Sequence, residues 1–221
     1  MASHGRIIPM NARARPTLRI VVLAAGFSAR LGRPKALARV RGSSLIRRTL
    51  RLLAPLAAER IIVVIPQRAV RAREELRGMR VDLVVNPHRA GGLSTSVRRG
   101  LTAGRCCAAL LMLPVDLVHL QRRDLERMIA RWSGARRRVI ARRVAEHGGT
   151  PVILPRWLWP RALGISGDRG LKQLLSELSP VHVSLLPVPS AAFDVDTAQD
   201  LARARRRWRA ADQVRAVCTK R

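Results

Sequence analysis

Lysine, tyrosine and cysteine are nearly missing from this chain. Only Lys35, Lys172 and Lys220 are lysines among 43 basic residues, against 14 acidic ones, so arginine carries the net charge of +29. A bias this one-sided reads as drift toward GC-rich codons rather than selection for a binding face, and the arginines are scattered along the chain. With four Trp, two Phe and no Tyr there is little to build a platform for stacking single-stranded bases. Polyanions will be attracted to so basic a surface, but nucleic-acid binding is not the expected main function. The three cysteines (Cys106, Cys107, Cys218) include an adjacent pair and no CxxC spacing, which argues against a disulfide framework and a zinc site. No run of about 18 apolar residues suggests a membrane span. The basic stretch 1–17 lacks the apolar centre of a signal peptide, so a cytoplasmic location is expected.

What is present is a core. Hydrophobic residues make up 48% of 221 residues, enough for one sizeable α/β domain. Residues 1–17 read as a flexible basic leader, with Met10 an alternative start, 18–205 as the domain and 206–221 as an arginine-rich tail. Apolar runs at 18–25, 60–65, 81–85, 108–113 and 137–142 predict buried strands. Helix-length stretches separate them: 45–58 with Ser43 or Ser44 as cap, 67–77, 94–103 and 122–132. This alternation predicts βαβ units and a mostly parallel sheet with helices on both faces. Further on, 149–154 and 181–186 read as strands and 168–178 as a helix. A terminal helix of about fifteen residues follows the segment 193–200.

The first strand runs into Leu23-Ala24-Ala25-Gly26-Phe27-Ser28-Ala29-Arg30-Leu31-Gly32-Arg33-Pro34-Lys35. Small residues let a ligand approach the backbone, and such a loop offers N–H groups at the carboxyl edge of the sheet, where open α/β sheets bind ligands. Arg30 and Lys35 add charge for phosphates. Asp116 directly follows an apolar strand, and Asp194 and Asp196 stand together near the C-terminus. Carboxylates at the ends of different strands suit Mg²⁺, which takes one or two of them plus phosphate oxygens.

The loop LAAGxSxRxGxPK resembles the signature of the MobA-like nucleotidyltransferases, and within them the molybdenum cofactor cytidylyltransferase branch. Five further segments resemble that family in the same order: Asn86-Pro87 with Gly92-Leu93-Ser94-Thr95-Ser96 and Gly100; Leu113-Pro114-Val115-Asp116; Gly149-Thr150-Pro151-Val152; Gly167-Asp168-Arg169-Gly170; and Asp194-Val195-Asp196-Thr197 with Asp200. The likeness covers about 18–201. It implies a Rossmann-like, GT-A-type three-layer sandwich. In it Gly26, Arg30 and Lys35 would hold a triphosphate, and the Leu23, Ala24 and Ala25 backbone would line the base. Gly91 or Gly92 would let that base sit close, and Ser96 would contact it, while one of Ser94 and Ser96 caps the following helix. Asp116 and Asp196 would hold Mg²⁺, with Asp194 able to share or replace the second, and Lys35, Arg30 and Asp116 would be catalytic. Three departures stand out: Val118 where the family has proline, Ala198 where proline is common, and Gln199 for the usual glutamate. The first bears on acceptor recognition, and His119 beside it either enters the acceptor space or is a partly buried side chain.

The reaction this implies is attack of an acceptor phosphate on the α-phosphorus of an NTP with loss of pyrophosphate. Such a nucleophile is already ionised and needs no general base, so positioning and charge neutralisation suffice. The resemblance implies CTP as donor, molybdopterin or its molybdenum form as acceptor, and a molybdoenzyme or maturation factor as partner. Two rivals stay open. A non-catalytic nucleotide-binding protein would bind NTP without releasing pyrophosphate; a nucleic-acid-binding protein would show tight, steeply salt-dependent binding.

Overall fold

The structure is a computed structural model in which residues 17–167 and 170–218 are described, with side chains given as far as Trp208. Its strands are β1 (Leu18–Leu23), β2 (Arg39–Val40), β3 (Ser43–Ser44), β4 (Ile61–Pro66), β5 (Val81–Asn86), β6 (Ala109–Pro114), β7 (Val139–Val144), β8 (His147–Pro155) and β9 (Val183–Leu186). Its helices are α1 (Leu45–Leu53), α2 (Val70–Glu75), α3 (Leu93–Ala103), α4 (Arg122–Gly134), α5 (Trp159–Leu163), α6 (Gly170–Ser176) and α7 (Ala198–Cys218). Seven strands form one sheet in the order β5-β4-β1-β6-β8-β7-β9. Strand β8 is antiparallel to both neighbours and the other pairings are parallel, so the mostly parallel sheet read from the sequence is present.

Each apolar run feeds both faces. In β1, Ile20 and Val22 join a core with residues of α1, α2, α4 and α7, while Val21 and Leu23 join a second core with α3, α5 and α6. That is the three-layer sandwich, and it follows from side chains alternating across a strand that is buried on both sides. Leu45, Ile46, Leu50 and Leu53 form the buried stripe of α1. Each contributes about 1.5–3 kcal/mol relative to an exposed side chain.

Local chemistry moves several boundaries. Helix α1 stops at Leu53 rather than near Ala58, because Pro55 has no N–H to continue the ladder and a 3₁₀ turn follows. Ser43 is in β3, and Ser44 is the cap, its Oγ accepting from the Arg47 N–H at 3.4 Å. The hairpin β2–β3 turns through Arg41 and Gly42, both at positive φ, which is the two-residue turn that matches strand twist. The stretch 67–77 yields only the six-residue α2. The terminal helix has 21 residues, longer than the fifteen expected. The leader 1–17 lies outside the described residues except for Thr17, whose carbonyl accepts from the Ala108 N–H at 2.9 Å. Asp168 and Arg169 of the Gly-Asp-Arg-Gly segment also lie outside them. Among the described residues, no helix is long and apolar enough to cross a membrane.

Candidate active site

Four parallel strands, β5, β4, β1 and β6, end at one edge of the sheet, and a cavity of about 1190 Å³ opens over them. Its volume exceeds what a drug-sized ligand needs and accommodates a nucleoside triphosphate. The loop after β1 forms one wall from Leu23 to Pro34, and Lys35 and Asp116 lie on it too. The backbone is pinned where β1 gives way to the loop: the Ala24 N–H donates to the Val64 carbonyl at 2.8 Å and the Val115 N–H to the Leu23 carbonyl at 3.2 Å.

Ser28 is the residue that aims the lysine. It sits in the left-handed region at φ 56° and accepts from the Lys35 backbone N–H at 2.9 Å, closing the loop on itself. The Lys35 ammonium then donates to Asp116 Oδ2 at 2.9 Å and to Asp196 Oδ1. Arg30, 71% exposed at its side chain, reaches Asp196 Oδ2 at 2.6 Å. The charged residues expected for phosphate and metal are thus brought together, as one network. Asp194 is exposed and contributes its charge.

The electrostatics are unbalanced. Burial pushes the Asp116 carboxyl above its ordinary pKa despite the facing Lys35, and the nearby Asp194 charge adds to the push. Burial acts to lower the Lys35 pKa, but the charge of Asp116 and the hydrogen bonds to Asp196 and Asp116 outweigh it, so the net direction is upward. Asp116 Oδ1 is buried and has no hydrogen-bond partner among the described residues. An uncompensated carboxylate oxygen beside a second carboxylate is the donor set a hard divalent cation prefers, so these residues fit such an ion.

Neither Asp194 nor Asp196 caps α7. Thr197 and Asp200 do: the Asp200 carboxylate accepts from the Thr197 N–H at 2.9 Å and its hydroxyl at 2.7 Å, and Thr197 Oγ1 accepts from the Asp200 N–H at 3.1 Å. These bonds to Thr197 hold the Asp200 pKa below the usual carboxylate range. The Val195 N–H donates to the Asp116 carbonyl at 3.2 Å, tying the two aspartate segments together. Val118 is accommodated rather than disruptive. Its N–H donates to the Asp116 carbonyl at 2.8 Å, a bond proline could not make.

On the opposite wall, Asn86 at the end of β5 is buried and donates to Thr95 Oγ1 (2.8 Å) and Ser96 Oγ (2.9 Å). Helix α3 begins after Gly92, and neither Ser94 nor Ser96 caps it. Ser94 Oγ donates to the Gly91 carbonyl and Ser96 accepts from Asn86. Ser96 and Gly92 line the cavity, whereas Gly91 packs on Thr95 and does not. His119 lies against Phe193 and Trp208 at ring distances of 5.2 and 6.0 Å, a partly buried side chain and not part of the cavity. Ser28, the Thr197–Asp200 cap and a Phe27–Arg89 contact were missed from sequence; only the cap carried a readable T-x-x-D signal.

Comparison with known proteins agrees with this geometry. The MobA-like NTP transferase domain matches residues 20–182. The chain belongs to that family. A bifunctional IPC transferase and DIPP synthase from Rubrobacter xylanophilus is 46% identical over 82 residues, 34% of this chain. The chain spans only 19% of the length of that curated relative. The crystal structure of Rv0371c from Mycobacterium tuberculosis H37Rv is 28% identical, with a TM-score of 0.68 over 86% of this chain and 99% of that one. The same protein has been solved in complex with manganese, at 24% identity, a TM-score of 0.68, and 85% and 97% of the two chains covered. A nucleotidyl transferase from Methanothermobacter, 23% identical, shares the fold with a TM-score of 0.73 over 88% and 98% of the chains. The domain is therefore of the nucleotidyltransferase class.

Proposed function

We propose that this protein transfers CMP from CTP to a phosphorylated acceptor of the molybdopterin type and releases pyrophosphate. The observation that carries the transfer chemistry is Lys35, held between Asp116 and Asp196 on the wall of the cavity. The loop from Leu23 to Gly26 receives the nucleotide, with Ala24 and Ala25 beside the base and Gly92 and Ser96 opposite. Gly26, Arg30 and Lys35 take the triphosphate. Arg30, mostly exposed, is free to turn from Asp196 to a phosphate at small cost.

An oxygen of the acceptor phosphate attacks the α-phosphorus, and the bond from that phosphorus to the oxygen bridging to the β-phosphate breaks. No proton must be removed from the nucleophile. Lys35 stabilises the charge that builds on the phosphoryl oxygens, as a donor fixed before the reaction begins. Asp116 and Asp196 would hold the divalent cation, taken as Mg²⁺, which would supply further charge neutralisation to the phosphates. The manganese bound by the mycobacterial relative supports a divalent site of this kind. The LAAG start, the Gly-Leu-Ser-Thr-Ser segment and the Asp-Val-Asp-Thr ending favour the cytidylyl branch. A molybdoenzyme or maturation factor would receive the product.

Pyrophosphate release from each of the four NTPs, with Mg²⁺ and with or without molybdopterin, tests this. Release that requires CTP and the pterin is expected. Release with another acceptor phosphate alone would replace the pterin, and NTP binding without any release would replace catalysis.

A further inference from the structure

Phe27 is one of two phenylalanines in the chain and is 53% exposed on the cavity wall. Val70, at the start of α2, is 67% exposed and lines the same cavity. Apolar and aromatic side chains on the wall of a cavity supply the contact surface for a bound ligand. Phe27 already has one partner: the Arg89 guanidinium lies 4.5 Å from its ring centroid. The two residues come from different loops, after β1 and after β5, and strand β4 lies between those strands. Their contact therefore arches across the part of the cavity floored by Pro66 and Gln67 at the end of β4.

We propose that Phe27 and Arg89 form the stacking surface for the nucleobase of the substrate, an inference that rests on the nucleotidyl-transfer reading. A guanidinium on an exposed ring is held weakly, so a base can slide against the pair or displace the guanidinium without a large penalty. Both groups are planar, and a base offers each a π-face of similar width. Such a surface contributes affinity that is nearly the same for every base, because all bases share that face. Choice among bases then falls to edge contacts with Ser96, held by Asn86, on the same segment after β5 that carries Arg89. Affinity and specificity for the base are in this way divided between different side chains.

The test compares wild type, Phe27→Ala, Phe27→Trp and Arg89→Ala by calorimetry with Mg²⁺ and CTP, GTP or inorganic tripolyphosphate. The last carries the phosphates without a base. Phe27→Ala is expected to weaken CTP and GTP to a similar degree, about tenfold, and to leave tripolyphosphate unchanged. Phe27→Trp, with a larger ring, is expected to keep or tighten both nucleotides, and Arg89→Ala to weaken nucleotides more than tripolyphosphate. Unchanged nucleotide affinity in Phe27→Ala, or an equal loss for tripolyphosphate, overturns the proposal and leaves the transferase reading intact. Wild type that binds neither nucleotide nor tripolyphosphate overturns the transferase reading itself, and this inference with it.

Discussion

The ammonium of Lys35 stands 2.9 Å from Asp116 Oδ2 while the other oxygen of that carboxylate is buried without a hydrogen-bond partner among the described residues. One cation serves a carboxylate that has room for more. On the proposed assignment, lysine and metal would compete for the same charge until a nucleotide drew Lys35 onto its phosphates. Lys35→Ala is expected to lower turnover about 10²–10³-fold, the scale of losing one preorganised donor. It should at the same time tighten Mn²⁺ binding measured by electron paramagnetic resonance without nucleotide, because Asp116 and Asp196 no longer share the ammonium. Mn²⁺ affinity that falls with turnover would mean that Lys35 merely holds the carboxylates in place.

Asn86 joins the end of β5 to the first turn of α3 and is fully employed: two hydroxyl acceptors, and its own Oδ1 accepting from the His88 N–H at 3.0 Å. Asn86→Ala removes the partner of buried groups, and leaving them unsatisfied costs about 1–3 kcal/mol. Urea unfolding should show the loss as a lower midpoint with an unchanged slope. If Ser96 reads the base through this network, the ratio of CTP to GTP affinity shifts as well.

Much of this was legible in the residues, for identifiable reasons. The runs at 18–25 and 108–113 are apolar on both faces, as central strands are, and Asp116 lies just beyond the second; Lys35, well past the end of the first, was legible through the resemblance of its loop. The reversed direction of β8 was not legible, because a strand's composition does not encode which way its neighbours run. Nor was the β2–β3 hairpin, since Arg41 at φ 54° is an unusual occupant of a left-handed position. The choice between Ser94 and Ser96 as cap had a false premise. Gly92 begins the helix, and both serines have other bonds.

Gly100 explains the Gly in the Gly-Leu-Ser-Thr-Ser…Gly segment. A Cβ there would lie 2.7 Å from Val21 Cγ1 and 3.3 Å from Met112 Cε, so α3 rests directly on β1 and β6. Gly100→Ala is expected to destabilise the fold by about 1–3 kcal/mol through overpacking, in spite of alanine's better helix propensity. Val21→Ala in the same chain should recover part of that loss in thermal melts. No recovery would mean that the strain lies elsewhere in α3.

The Thr197–Asp200 cap sits directly after Asp196, and the Asp200 carboxylate also accepts from the Asp196 N–H at 3.3 Å. Thr197→Ala should cost about 1 kcal/mol, as loss of an N-cap does. Because the Asp200 carboxylate that the Thr197 hydroxyl positions also holds the Asp196 N–H, the Mg²⁺ concentration for half-maximal activity should rise while turnover at saturating Mg²⁺ changes little. A drop in saturated turnover with no shift in metal requirement would place the effect on the phosphates instead.

His119 gives stability a pH dependence of known sign. Burial lowers its pKa, and the charges of Arg207 and Arg48 push in the same direction. The native state therefore binds its proton less readily than the unfolded chain, where the pKa is about 6.5. Stability from the neutral ring is complete above that value and is lost as the pH falls through the lower native pKa. His119→Phe keeps a ring against Phe193 and Trp208 but cannot be protonated. As the pH falls below about 6.5 the wild type should lose stability in urea unfolding while the variant stays flatter until the carboxylates titrate. Parallel curves for the two proteins would show that the imidazole takes its proton as easily in the fold as outside it.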